Sequence, residues 1–185
     1  ARAELRKDIE FAKPNGFSLT LDVSVPDGAG PFPTVIIVHG GGFARGDKQT
    51  YVPPLFEPLS QAGFTWFTIN YRMHPQFKFP APIDDIEAAI SFVKAHAKEY
   101  KVDLRRVVLM GESAGGALVS FVGVRNKSAI KLAAVVPFYG VHNWQQRAEE
   151  DQFGQRRRPL FEKGGRGSIE GSQRHGAGGL SQFRP

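Results

Sequence analysis

The most constraining feature of this 185-residue sequence is the stretch 107–116, in which an apolar run leads directly into a turn of small residues. Four consecutive apolar residues, 107–110, predict a strand buried on both faces, as in the centre of a parallel sheet. The next five residues read Gly-Glu-Ser-Ala-Gly and match G-x-S-x-G, in which a serine stands at a sharp strand-to-helix turn. Small neighbours let strand and helix close around strained backbone. We therefore predict Ser113 as a candidate nucleophile, with an ordinary strand-loop-helix turn as the alternative.

A helix over about 114–124 is predicted to follow this serine. Its N-terminal N–H groups and the positive end of its dipole would point at the place where an oxyanion forms. This arrangement favours acyl transfer at Ser113.

A second motif follows a different predicted strand. Residues 34–38 are apolar and rich in β-branched side chains, and they lead into His-Gly-Gly-Gly at 39–42. Consecutive glycines cost backbone entropy, so after a buried strand they indicate positive φ or a close approach. We predict that this loop points its N–H groups at a developing oxyanion, with a flexible surface loop as the alternative. His39 is predicted to anchor the loop to the backbone rather than to act as a base.

An antiparallel hairpin is predicted near the start of the chain. The runs 8–11 and 17–25 flank a Pro-Asn-Gly turn at 14–16. The second run alternates, with apolar residues at odd positions from 19 to 25 and Thr20, Asp22 and Ser24 between them. We therefore expect one face of this strand to be buried and the other to face water.

Strands and helices alternate after the hairpin. Apolar runs at 64–71 and 132–138 predict further strands, and apolar residues three and four apart between 83 and 97 predict a helix with one buried stripe. This alternation argues for an α/β fold with a mostly parallel sheet, helices on both faces and an N-terminal antiparallel hairpin. Ligands bind such sheets at the carboxyl ends of the strands, where both glycine motifs lie.

Acidic residues crowd the first turn of the helix predicted over 83–97. They are Asp84, Asp85 and Glu87. We interpret them as complementing the helix dipole, with a metal site as the weaker alternative.

Composition excludes several classes of function. The chain contains no Cys, which rules out disulfides, thiolate chemistry and thiolate metal sites, and no apolar run approaches the ~20 residues of a membrane span. The formal charge is +6, and about half of this excess lies in the last fifth of the chain, including three arginines at 156–158. Basic residues interspersed with acids in a tail do not favour a nucleic-acid partner. No cofactor or metal is predicted, and neither compartment nor oligomeric state follows from the sequence.

The ordered set of motifs resembles the α/β-hydrolase family, and within it the serine esterases with a His-Gly-Gly-Gly oxyanion motif. It is most similar to the bacterial feruloyl-esterase and acetylxylan-esterase-like branch, with the hormone-sensitive-lipase-like esterases close behind. The resemblance covers about residues 7–144. The matching segments are 39–43, Gly46-Asp47-Lys48, Asn70-Tyr71-Arg72, the helix from 82 to 96 and 111–116.

The resemblance implies a carboxylic ester hydrolase acting on a small-molecule ester. Ser113 would be the nucleophile, and the N–H groups of Gly41, Gly42 and Ala114 would form the oxyanion hole. Supporting positions beneath the site would be Tyr71, Arg72 and Glu112. No sequence feature fixes the acyl or alcohol group, and six aromatic residues are either pocket-lining or core: Phe43, Phe64, Trp66, Phe77, Phe79 and Trp144.

The remaining catalytic partners are the weakest part of the resemblance. The family orders its triad as Ser, then Asp or Glu, then His. Asp151 and His175 occur in that order, and His142 follows a predicted strand on the catalytic side, where a loop histidine is the simpler interpretation.

The sequence changes character near residue 152. We predict a hydrolase core at 1–150 and a low-complexity, basic, Gly-rich and disordered tail at 151–185. The C-terminal part of the sheet is therefore expected to be missing, and we hypothesise that the reading frame departs from the ancestral one near Phe153.

Two further interpretations stay open. One is a non-catalytic or incomplete remnant of an esterase, in which the turn survives without a working triad. The other is a peptidase of the prolyl-oligopeptidase type, which shares the fold. The His-Gly-Gly-Gly motif favours an esterase over the peptidase.

Overall fold

The structure is a computed structural model that describes residues 3–142, with six strands and three α-helices in that part of the chain. The strands are β1 Glu4–Ala12, β2 Leu19–Val25, β3 Phe32–Val38, β4 Thr65–Ile69, β5 Val102–Glu112 and β6 Ala134–Phe138. The helices are α1 Phe56–Gln61, α2 Ala81–Ala95 and α3 Ala114–Arg125. Short 3-10 turns occur at Pro14–Gly16 and Pro53–Leu55. None of the helices in residues 3–142 combines the length and apolarity needed to cross a membrane.

The six strands form one mixed sheet in the order β1-β2-β4-β3-β5-β6. β1 pairs antiparallel with β2, and β2 antiparallel with β4. From β4 onward the pairs β4-β3, β3-β5 and β5-β6 are all parallel. This order confirms the predicted N-terminal hairpin and parallel core. It also places the carboxyl ends of β3 and β5, where the two glycine motifs begin, side by side.

Helices cover both faces of the sheet, as predicted. Ile36 and Val38 of β3 belong to a cluster that includes the buried stripes of α2 and α3. Val35 and Ile37, which point the other way, pack with Trp66 and with residues of α1 and the turn before it. The alternating register of β3 therefore supplies apolar contacts to both layers, which explains why its central residues are all apolar.

The prediction that one face of β2 is exposed is wrong. Asp22 is 0% exposed and Ser24 only 3% exposed, so both faces of the strand are covered. β2 is flanked by β1 and β4, and the side chains of Lys48 and Gln49 contact the Asp22 carboxylate. The loop that follows β3 therefore covers the face of β2 that strand alternation alone predicts to be exposed to solvent.

The helices agree closely with their sequence patterns. α2 begins at Ala81, directly after Pro80, and buries its isoleucine stripe. α3 ends where Asn126 adopts a left-handed conformation with φ 48°, as often happens after the last helical turn. The predicted boundary between 1–150 and 151–185 lies outside the described residues.

Candidate active site

Ser113 occupies the turn between β5 and α3. Its φ of 51° and ψ of −114° are outside the regions that non-glycine residues normally adopt. Its N–H donates a 3.0 Å hydrogen bond to the carbonyl of Phe138 at the end of β6. A Cβ on Gly115 would lie 2.5 Å from the His39 carbonyl oxygen, and a Cβ on Gly111 would lie 2.5 Å from the Gly115 carbonyl carbon. Glycine is thus required at both positions of the motif, because any side chain there would clash with neighbouring backbone atoms.

The glycine loop at 39–45 lies beside this turn because its strand, β3, pairs with β5 and brings Val38 opposite Gly111. Gly41 and Gly42 have φ of 106° and 64°. The carbonyl of Gly41 accepts hydrogen bonds from the N–H groups of Ala44 and Arg45, at 3.3 and 3.2 Å. The N–H groups of Gly41 and Gly42 themselves donate to no acceptor within residues 3–142.

Glu112 joins the glycine loop to the serine turn. Its Oε1 accepts a 2.9 Å hydrogen bond from the N–H of Gly40, and the residue is only 7% exposed. The carboxylate therefore supports the backbone beneath the site, as the resemblance implies.

His39 is fully buried and fixed by three contacts. Its Nδ1 lies 2.7 Å from the Gly40 carbonyl oxygen, and its ring stacks on Tyr71 at a centroid distance of 4.4 Å. The Tyr71 hydroxyl donates to the His39 carbonyl at 3.1 Å. Burial lowers the pKa of His39, although the Gly40 carbonyl and the charge of Asp47 oppose this shift. A neutral ring that donates from Nδ1 is therefore favoured, and His39 is a loop anchor.

Tyr71 is a hydrogen-bond donor held in its neutral form. Burial, and then the negative charge of Glu112, raise the pKa of its phenol. The hydroxyl proton is thus retained for the carbonyl of His39.

Arg72 and Asp85 form a buried ion pair below the site. The guanidinium Nη2 and Nε lie 2.7 and 2.9 Å from Oδ1 of Asp85, and the Arg72 N–H donates to Oδ2 at 2.7 Å. Asp85 was predicted to complement the dipole of α2, but it points inward and pairs with Arg72, whereas Asp84 is exposed in the first turn. Within residues 3–142 no group of His, Asp and Glu is arranged to hold a metal ion.

An apolar cavity of about 350 Å³ adjoins the two motifs. Phe43 lies in the glycine loop, directly after Gly42, and Ala117 lies in the first turn of α3, and both line the cavity. The remaining wall is mostly aromatic and aliphatic: Phe77, Phe79, Ile83, Leu118 and Phe121. Of the six aromatic residues considered from the sequence, three therefore line a cavity. Phe64 and Trp66 instead belong to the core on the α1 side.

Ser113 and Ala114 follow β5, and Gly41 and Gly42 follow the adjacent strand β3, so all four residues lie at the carboxyl edge of the parallel strands. Ala114 is the first residue of α3, so its N–H has no intrahelical acceptor. His142 is exposed, and no side chain in the described part of the chain hydrogen-bonds the Ser113 hydroxyl. The residues Trp144, Asp151 and His175 lie outside the described part.

One cluster near the site was not foreseen from the sequence. Lys48 is 7% exposed, and its Nζ lies 3.0 Å from Oδ1 of Asp22. The sequence did mark this position, because Gly46-Asp47-Lys48 is one of the segments that match the esterase family. The partner of Lys48 could not be inferred from it.

The chain is similar to known esterases in sequence. The BD-FAE family model matches residues 21–163, which is more than half of the chain. The probable carboxylic ester hydrolase LipM of Mycobacterium tuberculosis is 32% identical over 128 residues, covering 64% of this chain and 30% of LipM. An acetyl esterase of Salmonella choleraesuis is 30% identical over 125 residues, covering 65% of this chain and 39% of that protein. The chain thus spans only 30% of the length of LipM and 39% of the length of the acetyl esterase.

Solved structures show the same fold. An ester hydrolase from the metagenome of Lake Arreo, EH1AB1, is 29% identical with a TM-score of 0.68, over 77% of this chain and 46% of that one. A bacterial heroin esterase is 29% identical with a TM-score of 0.62, over 72% of this chain and 43% of that one. The sheet order, the serine turn and the family match lead to one conclusion: this chain belongs to the BD-FAE family and has an α/β-hydrolase fold.

Proposed function

We propose that this protein is a carboxylic ester hydrolase in which Ser113 attacks the ester carbonyl. One observation carries the proposal: Ser113 stands at positive φ beside a glycine loop whose Gly41 and Gly42 N–H groups donate to no acceptor in residues 3–142. Donors left free next to a strained serine are suited to an oxyanion that exists only during reaction. Esterases among the relatives support the same class of reaction.

The chemistry proceeds through an acyl-enzyme. The Ser113 oxygen adds to the carbonyl carbon, and the carbonyl oxygen gains the negative charge. The N–H groups of Gly41, Gly42 and Ala114 donate to this oxyanion, aided by the N-terminal dipole of α3. When the tetrahedral intermediate collapses, the ester oxygen leaves and takes up the proton that Ser113 gave to the general base, which releases the alcohol, and water then hydrolyses the acyl-serine to release the acid.

The serine proton must pass to a general base. Asp151 with His175, in the chain order of the family, are our candidates for the acid and base, and His142 is the alternative. Separate His175→Ala and His142→Ala variants distinguish them, since only the residue that takes the proton is needed for rapid acylation.

An acetyl ester is the first substrate to test, because an acetyl esterase is among the relatives. We propose to measure hydrolysis of p-nitrophenyl acetate by the wild-type chain, Ser113→Ala and Ser120→Ala. Ser120 is a matched control on the same helix, where its hydroxyl bonds the Gly116 carbonyl at 3.0 Å. Loss of the nucleophile is expected to lower turnover by at least about a thousandfold, whereas Ser120→Ala keeps most of it. A wild-type rate no higher than that of Ser113→Ala would overturn the proposal and favour a non-catalytic remnant.

A further inference from the structure

The loop at 46–50 directly follows the glycine loop and is fastened to the N-terminal hairpin by a charged cluster. The Lys48 Nζ lies 2.7 Å from Oδ1 of Asp8 and 3.0 Å from Oδ1 of Asp22. Asp22 is fully buried, and it also accepts a 2.9 Å hydrogen bond from the N–H of Asp8. The ammonium group therefore joins this loop to β1 and β2.

The backbone of Lys48 is fixed as firmly as its side chain. Its N–H donates to Oδ1 of Asn70 at 2.8 Å, and its carbonyl accepts a 2.7 Å hydrogen bond from the Thr68 hydroxyl. Thr68 and Asn70 belong to β4 and the position just after it. Lys48 is thus held at both its backbone and its side chain by three neighbouring strands.

The ion pairs of Lys48 with Asp8 and Asp22 form a clamp, and close contacts connect this clamp to the glycine loop. A Cβ on Gly46 would lie 3.1 Å from Nδ1 of His39, the same atom that lies 2.7 Å from the Gly40 carbonyl oxygen. The N–H of Arg45 donates to the Gly41 carbonyl. A displacement of residues 46–48 would therefore be transmitted to Gly40 and Gly41.

We propose that Lys48 is a positioning residue for the oxyanion hole, and that its clamp on Asp8 and Asp22 fixes the far end of the glycine loop. Glu112 holds the near end through Gly40, so the two contacts together set the direction of the Gly41 and Gly42 N–H groups. This inference rests on the proposed function. Because the oxyanion forms only in the transition state, misplacing its donors lowers kcat and leaves KM almost unchanged.

The test compares Lys48→Met, which keeps the stem and removes the charge, with Lys48→Arg, which keeps the charge. Lys48→Met leaves the Asp22 carboxylate buried without its cation, so a Lys48→Met/Asp22→Asn double variant is added in case the single variant does not fold. Lys94→Met is the matched control, because within residues 3–142 the Lys94 Nζ donates only to an exposed carbonyl, that of Ala129.

Kinetic constants for p-nitrophenyl acetate give the first readout. We expect kcat to fall about tenfold to a hundredfold in Lys48→Met or the double variant, with KM within about twofold and substantial recovery in Lys48→Arg. Lys94→Met should retain the wild-type kcat. If kcat of the folded Lys48 variants is unchanged while their melting temperature falls, the clamp is structural only and the proposal is overturned.

Amide hydrogen exchange gives a second readout that does not need activity. The Gly40 N–H is buried and bonded to Glu112, and its exchange should accelerate at least about tenfold in Lys48→Met while that of Ile90 in α2 stays unchanged. Unchanged Gly40 exchange overturns the proposal. Failure of the proposed function appears separately, as a wild-type chain that does not hydrolyse the ester.

Discussion

The Glu112 carboxylate accepts a 2.9 Å hydrogen bond from the N–H of Gly40, across 72 residues of sequence. Glu112 ends β5 and precedes the candidate nucleophile, whereas Gly40 is the second residue of the glycine loop after β3. Pairing of β3 with β5 brings these strand ends together, and the hydrogen bond fixes the two loops relative to each other. A direct hydrogen bond therefore links the serine turn to the glycine loop.

Truncating Glu112 tests this coupling. Glu112→Ala leaves the buried Gly40 N–H without an acceptor, which is expected to lower the free energy of unfolding by about 1–3 kcal/mol. Glu112→Gln keeps an acceptor oxygen and should cost less. Urea denaturation measures both, with the exposed Glu57→Ala on α1 as control. Equal stability of Glu112→Ala and Glu57→Ala would show that the bond does not hold the loop.

The buried pair Arg72 and Asp85 is expected to dominate the stability of the region below the site. Arg72→Met leaves Asp85, which is 1% exposed, without its cation, and should lower the free energy of unfolding by about 3–5 kcal/mol. Arg105→Met is the control, since this side chain is 92% exposed and lies 3.7 Å from Asp103. It should change the free energy of unfolding by at most about 1 kcal/mol. If Arg72→Met lowers the free energy of unfolding no more than Arg105→Met does, the ion pair does not stabilise this region.

We expect the folded protein to lose stability in mild acid because of His39. Its pKa is lowered in the folded state by burial, so below the ordinary value of 6.5 the unfolded chain binds a proton that the folded chain does not. The free energy of unfolding therefore falls as pH drops from about 6.5 toward the folded pKa, by up to about 1.4 kcal/mol per pH unit from this one group.

Urea denaturation of wild type and His39→Asn at pH 7.5 and pH 5 checks this pH effect. The variant should lose less stability between the two pH values, because it lacks the titrating ring. His74→Asn removes a solvent-exposed histidine and is the control. A pH dependence in His39→Asn as steep as in wild type would refute the assignment.

The sequence predicted the elements whose signal is local. The apolar run before Ser113, the three- and four-residue spacing in α2 and the Pro-Asn-Gly turn each placed an element correctly, because period and turn chemistry are properties of neighbouring residues. The strained backbone of Ser113 likewise follows from a local motif, the five-residue G-x-S-x-G sequence at 111–115.

Contacts between distant segments could not be predicted in the same way. Asp22 reads as a solvent-facing position in an alternating strand, and only the fold shows that Lys48 covers it. The inward direction of Asp85 depends on where Arg72 lies across the connection between β4 and α2. Such pairings are set by tertiary packing, which strand alternation and helix-dipole arguments do not contain.

Labelling of the purified chain with a fluorophosphonate probe tests the central claim most directly, because the probe reacts with an activated serine whatever the natural ester is. We expect one labelled site, at Ser113, that disappears in Ser113→Ala and remains in Ser120→Ala. Circular dichroism confirms that each protein is folded. A folded wild-type chain that takes no label, or a label that persists in Ser113→Ala, would contradict the assignment of Ser113 as the nucleophile.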